Sequence, residues 1–202
     1  RPETELMVDK IINLYKNQKI FILDIGTGSG CILISLLSEL NNSRGIGIDI
    51  SKEAIFVAKK NARKHNIYNN SLFKVRSFTN IYNYKFDLIV SNPPYIQTKE
   101  IKNLQEDIKK YEPKIALDGG NDGLDVIKKV IYKAKDILKI NGRLALEIGN
   151  EQHKTVSKLL KKNNFKIEHN IKDYNTNIRC LIALHTKWEI MNNNRRRNFR
   201  PR

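Results

Sequence analysis

Cysteine is nearly absent: Cys31 and Cys180 are the only two in 202 residues, far apart and each inside an apolar run. Two such thiols build no disulfide framework, and their setting reads as a pair of buried free thiols. The four histidines, His65, His153, His169 and His185, share no ligand spacing and no H-E-x-x-H pattern, so no metal is assigned. No apolar run approaches a membrane span, and no basic segment leads into an apolar one as in a secretory leader. The chain opens on Arg1 rather than Met. It is expected to be a segment of a longer cytoplasmic protein, monomeric and without membrane contact.

Acidic residues are also few, 21 Asp and Glu against 37 Lys and Arg, for a formal net charge of +16. Such a balance favours polyanions non-specifically. The bases are spread along helical stretches as Lys59-Lys60, Lys128-Lys129 and Lys161-Lys162. They read mainly as solvated lysine faces, with weak contact to nucleic acid or the ribosome as the remaining expectation. A hydrophobic content of 40% suffices for one sizeable core.

Proline is scarce, five in all, yet two stand together in Ser91-Asn92-Pro93-Pro94-Tyr95, straight after the apolar run Phe86-Asp87-Leu88-Ile89-Val90. The chain thus leaves a buried strand into a stiff polar turn. Two prolines fix φ and remove two N–H donors, leaving carbonyls free to accept hydrogen bonds from something other than the protein. The Asn92 side-chain oxygen and the Pro93 carbonyl can each accept one N–H of a planar NH2 group, and the Tyr95 face can stack on the group that carries it.

A second element lies upstream. Phe21-Ile22-Leu23-Asp24-Ile25 reads as a buried strand entering Gly26-Thr27-Gly28-Ser29-Gly30, ahead of a helix-like run from Cys31 to Leu40. Such glycines let backbone approach a ligand closely, and the following helix N-terminus offers free N–H groups. The spacing does not fit G-x-G-x-x-G, because the last glycine would fall on Cys31 or on Leu33. Such a loop can hold a nucleotide or a nucleoside, and the spacing disfavours a dinucleotide pyrophosphate. About twenty residues further on, Gly45-Ile46-Gly47-Ile48-Asp49 forms a strand that ends in a carboxylate, the place from which an acid reaches ribose hydroxyls.

Asp24-x-Gly26-x-Gly28-x-Gly30, Asp49 and Asn92-Pro93-Pro94-Tyr95 together resemble the S-adenosylmethionine-dependent methyltransferases that modify planar nitrogens. Within these the chain is similar to the family that methylates the N5 amide of the glutamine in the Gly-Gly-Gln loop of peptide chain release factors. Arg1-Pro2-Glu3-Thr4-Glu5, Glu112-Pro113 with Ala116-Leu117-Asp118-Gly119-Gly120 and Asp122-Gly123-Leu124, and Leu144-Ala145-Leu146-Glu147-Ile148-Gly149 carry the narrower likeness. It implies S-adenosylmethionine as cofactor, held by Asp24, Gly26, Thr27, Gly28, Ser29, Gly30, Asp49 and Asn92. It implies release factors as partners, gripped by Asn92, Pro93, Pro94 and Tyr95, with Asn92, Pro93 and Tyr95 acting in catalysis. Glu147 reads as a hydrogen-bonding group at the core edge. Where the family usually places an acid near the adenine, this chain has Arg76-Ser77-Phe78-Thr79, so that contact stays unassigned between backbone groups and Phe78. Family members also carry a small helical domain ahead of this region, which bears on docking of the release factor.

Apolar spacing and breakers predict strands near 20–25, 45–49, 72–76, 86–91, 143–148, 165–170 and 178–184. Helices are expected near 4–16, 30–40, 52–65, 123–139 and 151–163. The alternation gives an α/β fold, a mostly parallel sheet covered on both faces and closed by an antiparallel C-terminal hairpin. With the resemblance, this is the Rossmann-like seven-stranded sheet of class I methyltransferases, whose ligands sit beyond the carboxyl ends of the strands. Residues 1–187 form the catalytic domain in this reading. Residues 188–202, with Asn192-Asn193-Asn194 and Arg195-Arg196-Arg197, are expected to form a basic disordered tail or, as the resemblance implies from relatives in which a tRNA methyltransferase domain follows, a linker to such a domain.

Two other functions remain open from the sequence. One is an exocyclic amino methyltransferase acting on adenine N6 or guanine N2 in nucleic acid, favoured by the charge. The other is a non-catalytic cofactor- or RNA-binding module, which has no need of the acceptor-gripping Asn92-Pro93-Pro94-Tyr95.

Overall fold

The computed structural model describes residues 2–104 and 113–187. Arg1, Glu112 and the tail expected to be disordered at 188–202 lie outside the described residues. Seven strands, β1 (Phe21–Ile25), β2 (Arg44–Asp49), β3 (Ser71–Val75), β4 (Phe86–Ser91), β5 (Leu138–Glu147), β6 (Phe165–Lys172) and β7 (Ile178–His185), form one sheet in the order β3-β2-β1-β4-β5-β7-β6. The first five pair in parallel, and β7 runs antiparallel between β5 and β6. The expected sheet and its C-terminal hairpin are therefore present.

Alternation along the central strands sorts their side chains onto two faces. Ile22, Leu88, Val90 and Ala145 pack with α1 (Pro2–Tyr15), α2 (Cys31–Glu39) and α3 (Lys52–Lys64). Leu23, Ile25, Ile89, Leu144 and Leu146 pack on the opposite side with α4 (Asp125–Ile137) and α5 (His153–Lys162). Each helix start has a local cause. Ser51 caps α3 by accepting the Ala54 N–H at 3.0 Å, and Gly30, in the left-handed region at φ 82°, opens α2.

Two expectations need correction. The strand expected near 143–148, after a helix reaching 139, begins earlier: α4 ends at Ile137, and β5 begins at Leu138, pairs with Phe86, and passes through Asn141-Gly142, with Asn141 at φ 65° and a register shift between Phe86 and Leu88. The Asn-Gly pair is an irregularity inside the strand. Cys31 is exposed, not buried, whereas Cys180 is buried. Cys31 shares an outward face of α2 with Ser35, and the buried residues of that helix are Ile32, Leu33, Ile34, Leu36 and Leu37.

In-register parallel pairing brings the ends of β1, β2, β4 and β5 to one edge, since Ile25 lies opposite both Ile48 and Ser91, and Ser91 opposite Leu146. Everything that follows these strands opens on the same side of the sheet.

Candidate active site

The glycine loop hangs from β2. Gly26 and Thr27 both donate their N–H groups to the Ile48 carbonyl, at 3.0 and 2.9 Å. Gly28 donates to Asp49 Oδ2 at 3.0 Å, while Asp49 Oδ1 takes the Ser51 N–H at 2.9 Å. A carboxylate has about four acceptor sites, so each Asp49 oxygen keeps capacity for a further donor. Gly26 and Gly28 adopt φ 70° and 55°, and a Cβ at either would meet nothing within 4 Å. The backbone at these two positions is bare toward open space. Gly30 differs, because a Cβ there would lie 3.1–3.2 Å from Ile34, Phe73 and Ala58.

Behind the loop, Asp24 has no exposed surface. Its Oδ2 accepts the Thr27 hydroxyl at 2.6 Å, and its Oδ1 has no hydrogen-bond partner among the described residues. Burial pushes its pKa up to about 7, against the pull of the Thr27 hydroxyl and the nearby Leu33 N–H, and the neighbouring Asp49 adds to the rise. Thr27 thus spends its hydroxyl on Asp24. Ser29 is exposed, and its carbonyl accepts the Asn61 amide at 3.0 Å.

The turn after β4 begins at Ser91, whose hydroxyl donates to the Ile25 carbonyl at 2.8 Å and ties it to the start of the glycine loop. Asn92 is half-buried, and its side-chain amide makes no hydrogen bond to a described residue. Pro93 is buried; Pro94 and Tyr95 are half-buried. The Tyr95 hydroxyl accepts from Arg179 Nη2 at 3.2 Å, with the guanidinium carbon 5.7 Å from the ring centroid. The Tyr95 carbonyl accepts from Gln152 Nε2 at 3.0 Å.

Two further pieces wall this turn. The segment 117–120 runs beside it: Ile96 donates to the Leu117 carbonyl, Gly119 to Ile96, and Thr98 to Gly120, with the Thr98 hydroxyl on Asp118 at 2.7 Å. Glu147, at the end of β5, is fully buried; its Oε2 accepts the Thr4 hydroxyl of α1 at 2.5 Å and its Oε1 has no partner among the described residues. The core-edge hydrogen bond expected of Glu147 is present. Gln152, Thr4 and Arg179 were not legible as site neighbours, because their partners lie 57, 143 and 84 residues away in the chain.

A mostly parallel seven-stranded sheet that gathers a bare glycine loop, a strand-end acid and an Asn-Pro-Pro-Tyr turn at one edge defines a class I methyltransferase fold. The chain belongs to the methyltransferase domain family, whose pattern it matches over residues 16–197. It is 43% identical over 185 residues to the release factor glutamine methyltransferase of Fusobacterium nucleatum subsp. nucleatum, covering 91% of this chain and 52% of that protein. It is likewise 43% identical over 183 residues to the release factor glutamine methyltransferase of Buchnera aphidicola subsp. Schizaphis graminum, covering 91% of this chain and 66% of that one. The chain therefore spans about half to two thirds of the length of these curated relatives. In fold it resembles the ribosomal protein L11 methylase of Lactobacillus delbrueckii subsp. bulgaricus, with a TM-score of 0.68 at 20% identity over 92% of this chain and 79% of that one. No helix among the described residues is long and apolar enough to cross a membrane.

Proposed function

We propose that this protein transfers a methyl group from S-adenosylmethionine to the N5 side-chain amide of the glutamine in the Gly-Gly-Gln motif of peptide chain release factors, in the cytoplasm. The observation that carries the reading is the Asn92 amide, uncommitted within the described chain and placed beside the glycine loop by the Ser91–Ile25 hydrogen bond. The similarity to relatives named for this activity supports the choice of acceptor.

The residues present fit the cofactor. Bare backbone at Gly26 and Gly28 admits a nucleoside closely, the spare acceptor capacity of Asp49 suits two ribose hydroxyls, and the orphaned Asp24 Oδ1 suits a cationic amino group. Thr27, Ser29 and Gly30 shape that cradle. When bound, S-adenosylmethionine supplies an electrophilic methyl on a sulfonium, and the S–C electron pair returns to sulfur as the new N–C bond forms.

An amide nitrogen is a weak nucleophile, since its lone pair is delocalised into the carbonyl. Asn92 Oδ1 and the Pro93 carbonyl each accept one of its N–H groups, which aims the lone pair at the methyl as the nitrogen pyramidalises and stabilises the positive charge it gains. Pro94 keeps the turn stiff, and the half-buried Tyr95 ring flanks the planar group. The nitrogen then sheds one proton to water, and no strong base is required.

The test is transfer of labelled methyl to purified release factor, to a copy lacking the Gly-Gly-Gln glutamine, and to bulk tRNA and DNA. Label on the intact release factor alone is expected. The net charge of +16 favours a second reading, methylation of an exocyclic amino group in nucleic acid; label on tRNA or DNA would replace the first reading with it.

A further inference from the structure

The acceptor turn has an anchoring problem. Pro93 and Pro94 carry no N–H, so the two peptide groups that end at them offer no donor, and the turn is held from its far end, where Ile96 donates to the Leu117 carbonyl and the Tyr95 carbonyl accepts from Gln152. One side chain supplies donors to two loops at once. Gln152 Nε2 donates one hydrogen to the Tyr95 carbonyl at 3.0 Å and the other to the Gly123 carbonyl at 3.1 Å, and Gln152 Oε1 accepts the Gly149 N–H at 2.9 Å. Both amide hydrogens and one lone-pair direction are thereby committed.

The three loops joined in this way are the turn after β4, the 118–124 segment and the turn after β5. Space around the joint is tight. A Cβ on Gly123 would stand 2.4 Å from the Tyr95 carbonyl oxygen and 2.8 Å from Gln152 Nε2, and one on Gly149 would stand 3.0–3.1 Å from Gln152 and Tyr95. Gly123 is held at φ 70°, which other residues reach only with strain. Gln152 also stands directly before α5, and its own carbonyl accepts the Val156 N–H at 2.9 Å, so its backbone is rigid.

We infer that Gln152 is a positioning residue for methyl transfer. Its side-chain amide sets the Tyr95 peptide, and through it the Pro93 and Asn92 acceptors, against the 118–124 wall. The inference rests on the function proposed above. The Gln152 amide is committed to Gly149, Tyr95 and Gly123 of the chain itself, so its loss acts on alignment, where a displacement of about 1 Å costs roughly 100-fold in rate.

Gln152→Glu is the discriminating variant. It keeps the shape and the acceptor for Gly149 N–H but turns two donations into oxygen facing oxygen. At pH 8 the carboxylate opposes both carbonyls, and kcat for release factor is expected to fall about 100-fold with cofactor affinity within about threefold of wild type. Protonation returns one donor, so the ratio of variant to wild-type kcat is expected to climb as pH drops from 8 to 5.5. A loss that came only from loosened folding would lower the melting temperature and cofactor affinity together and would lack that rise. Should Gln152→Glu fail to fold, Gln152→Asn, which keeps the amide but withdraws it by one methylene, decides: reduced kcat with an unchanged melting temperature supports the inference, and wild-type kcat overturns it. A Gln152→Glu protein as active as wild type at pH 8 overturns the inference alone. A wild-type protein that binds cofactor but labels no release factor overturns the parent reading, and this one with it.

Discussion

Asp49 shapes the loop on the neighbouring strand: its Oδ2 holds the Gly28 N–H at 3.0 Å across the β1–β2 boundary. The acid that ends β2 and the glycine that follows β1 form one unit, with the Ser51 N–H on the other Asp49 oxygen at 2.9 Å completing it. The same carboxylate can brace the loop from one side and receive hydroxyls from the other.

The glycines of that loop separate by experiment. Gly28→Ala puts a methyl into open space at φ 55°, so its folding cost is only the left-handed backbone penalty of about 1–2 kcal/mol, while the methyl intrudes where the cofactor is expected. Gly30→Ala drives a methyl against Ile34, Phe73 and Ala58 at φ 82°, and is expected to cost more stability. Calorimetric cofactor titration and thermal melts of the two variants give the comparison; equal melting temperatures would contradict it.

Asp24 makes stability depend on pH. Its folded pKa is about 7, against an ordinary value of 3.8. Between these values the folded protein retains a proton that the unfolded chain has lost, so stability falls as pH rises through this window and levels off above it. The whole effect is of the order of 4 kcal/mol, at about 1.4 kcal/mol per pH unit. Melting temperature is expected to drop between pH 5 and 8 in the wild type and to change less in Asp24→Asn. A cationic group of the cofactor set beside Asp24 draws the proton off, so cofactor affinity is expected to rise with pH toward 7, with proton release visible as buffer-dependent binding heat.

Under the proposed function, Asn92→Ala removes a hydrogen-bond acceptor for the substrate amide and leaves the glycine loop intact. Transfer is expected to fall by about 100-fold or more, with cofactor dissociation constant nearly unchanged. A parallel loss of cofactor binding would move Asn92 from the acceptor to the cofactor side of the site.

Thr4→Ala strips the fully buried Glu147 of its one side-chain hydrogen bond among the described residues. Leaving a buried acceptor unpaired costs about 1–3 kcal/mol, to be seen in denaturant unfolding. Thr4→Ser, which keeps the hydroxyl, is expected to recover most of it.

Much of this architecture is written in local pattern. The unbroken runs Phe21–Ile25 and Phe86–Ser91 are strands because both faces of the sheet are covered, and the lack of helical sequence between Phe165 and His185 forces the hairpin. Pattern fails where packing decides. Asn141-Gly142 signals a break, yet pairing with β4 carries the strand through it. Cys31 sits in an apolar run, yet its helical phase with Ser35 turns it outward. Of the candidate site, the convergence of the glycine loop, Asp49 and the Asn92–Tyr95 turn at one sheet edge was legible because each is a compact motif at a strand end. Gln152 was not, since one ordinary glutamine bridges loops 29 and 57 residues distant and nothing near it in the chain betrays the bridge.

The double proline has a practical consequence for spectroscopy. Amide-detected NMR relies on backbone N–H groups, so positions 93 and 94 give no resonance and the turn is visible only at Asn92 and Tyr95. The Gln152 side-chain NH2 fills the gap: its two hydrogens face different carbonyls and give two distinct signals from one nitrogen. Events at the Asn92–Tyr95 turn are thus best followed from a side chain that another loop presses against the Tyr95 carbonyl.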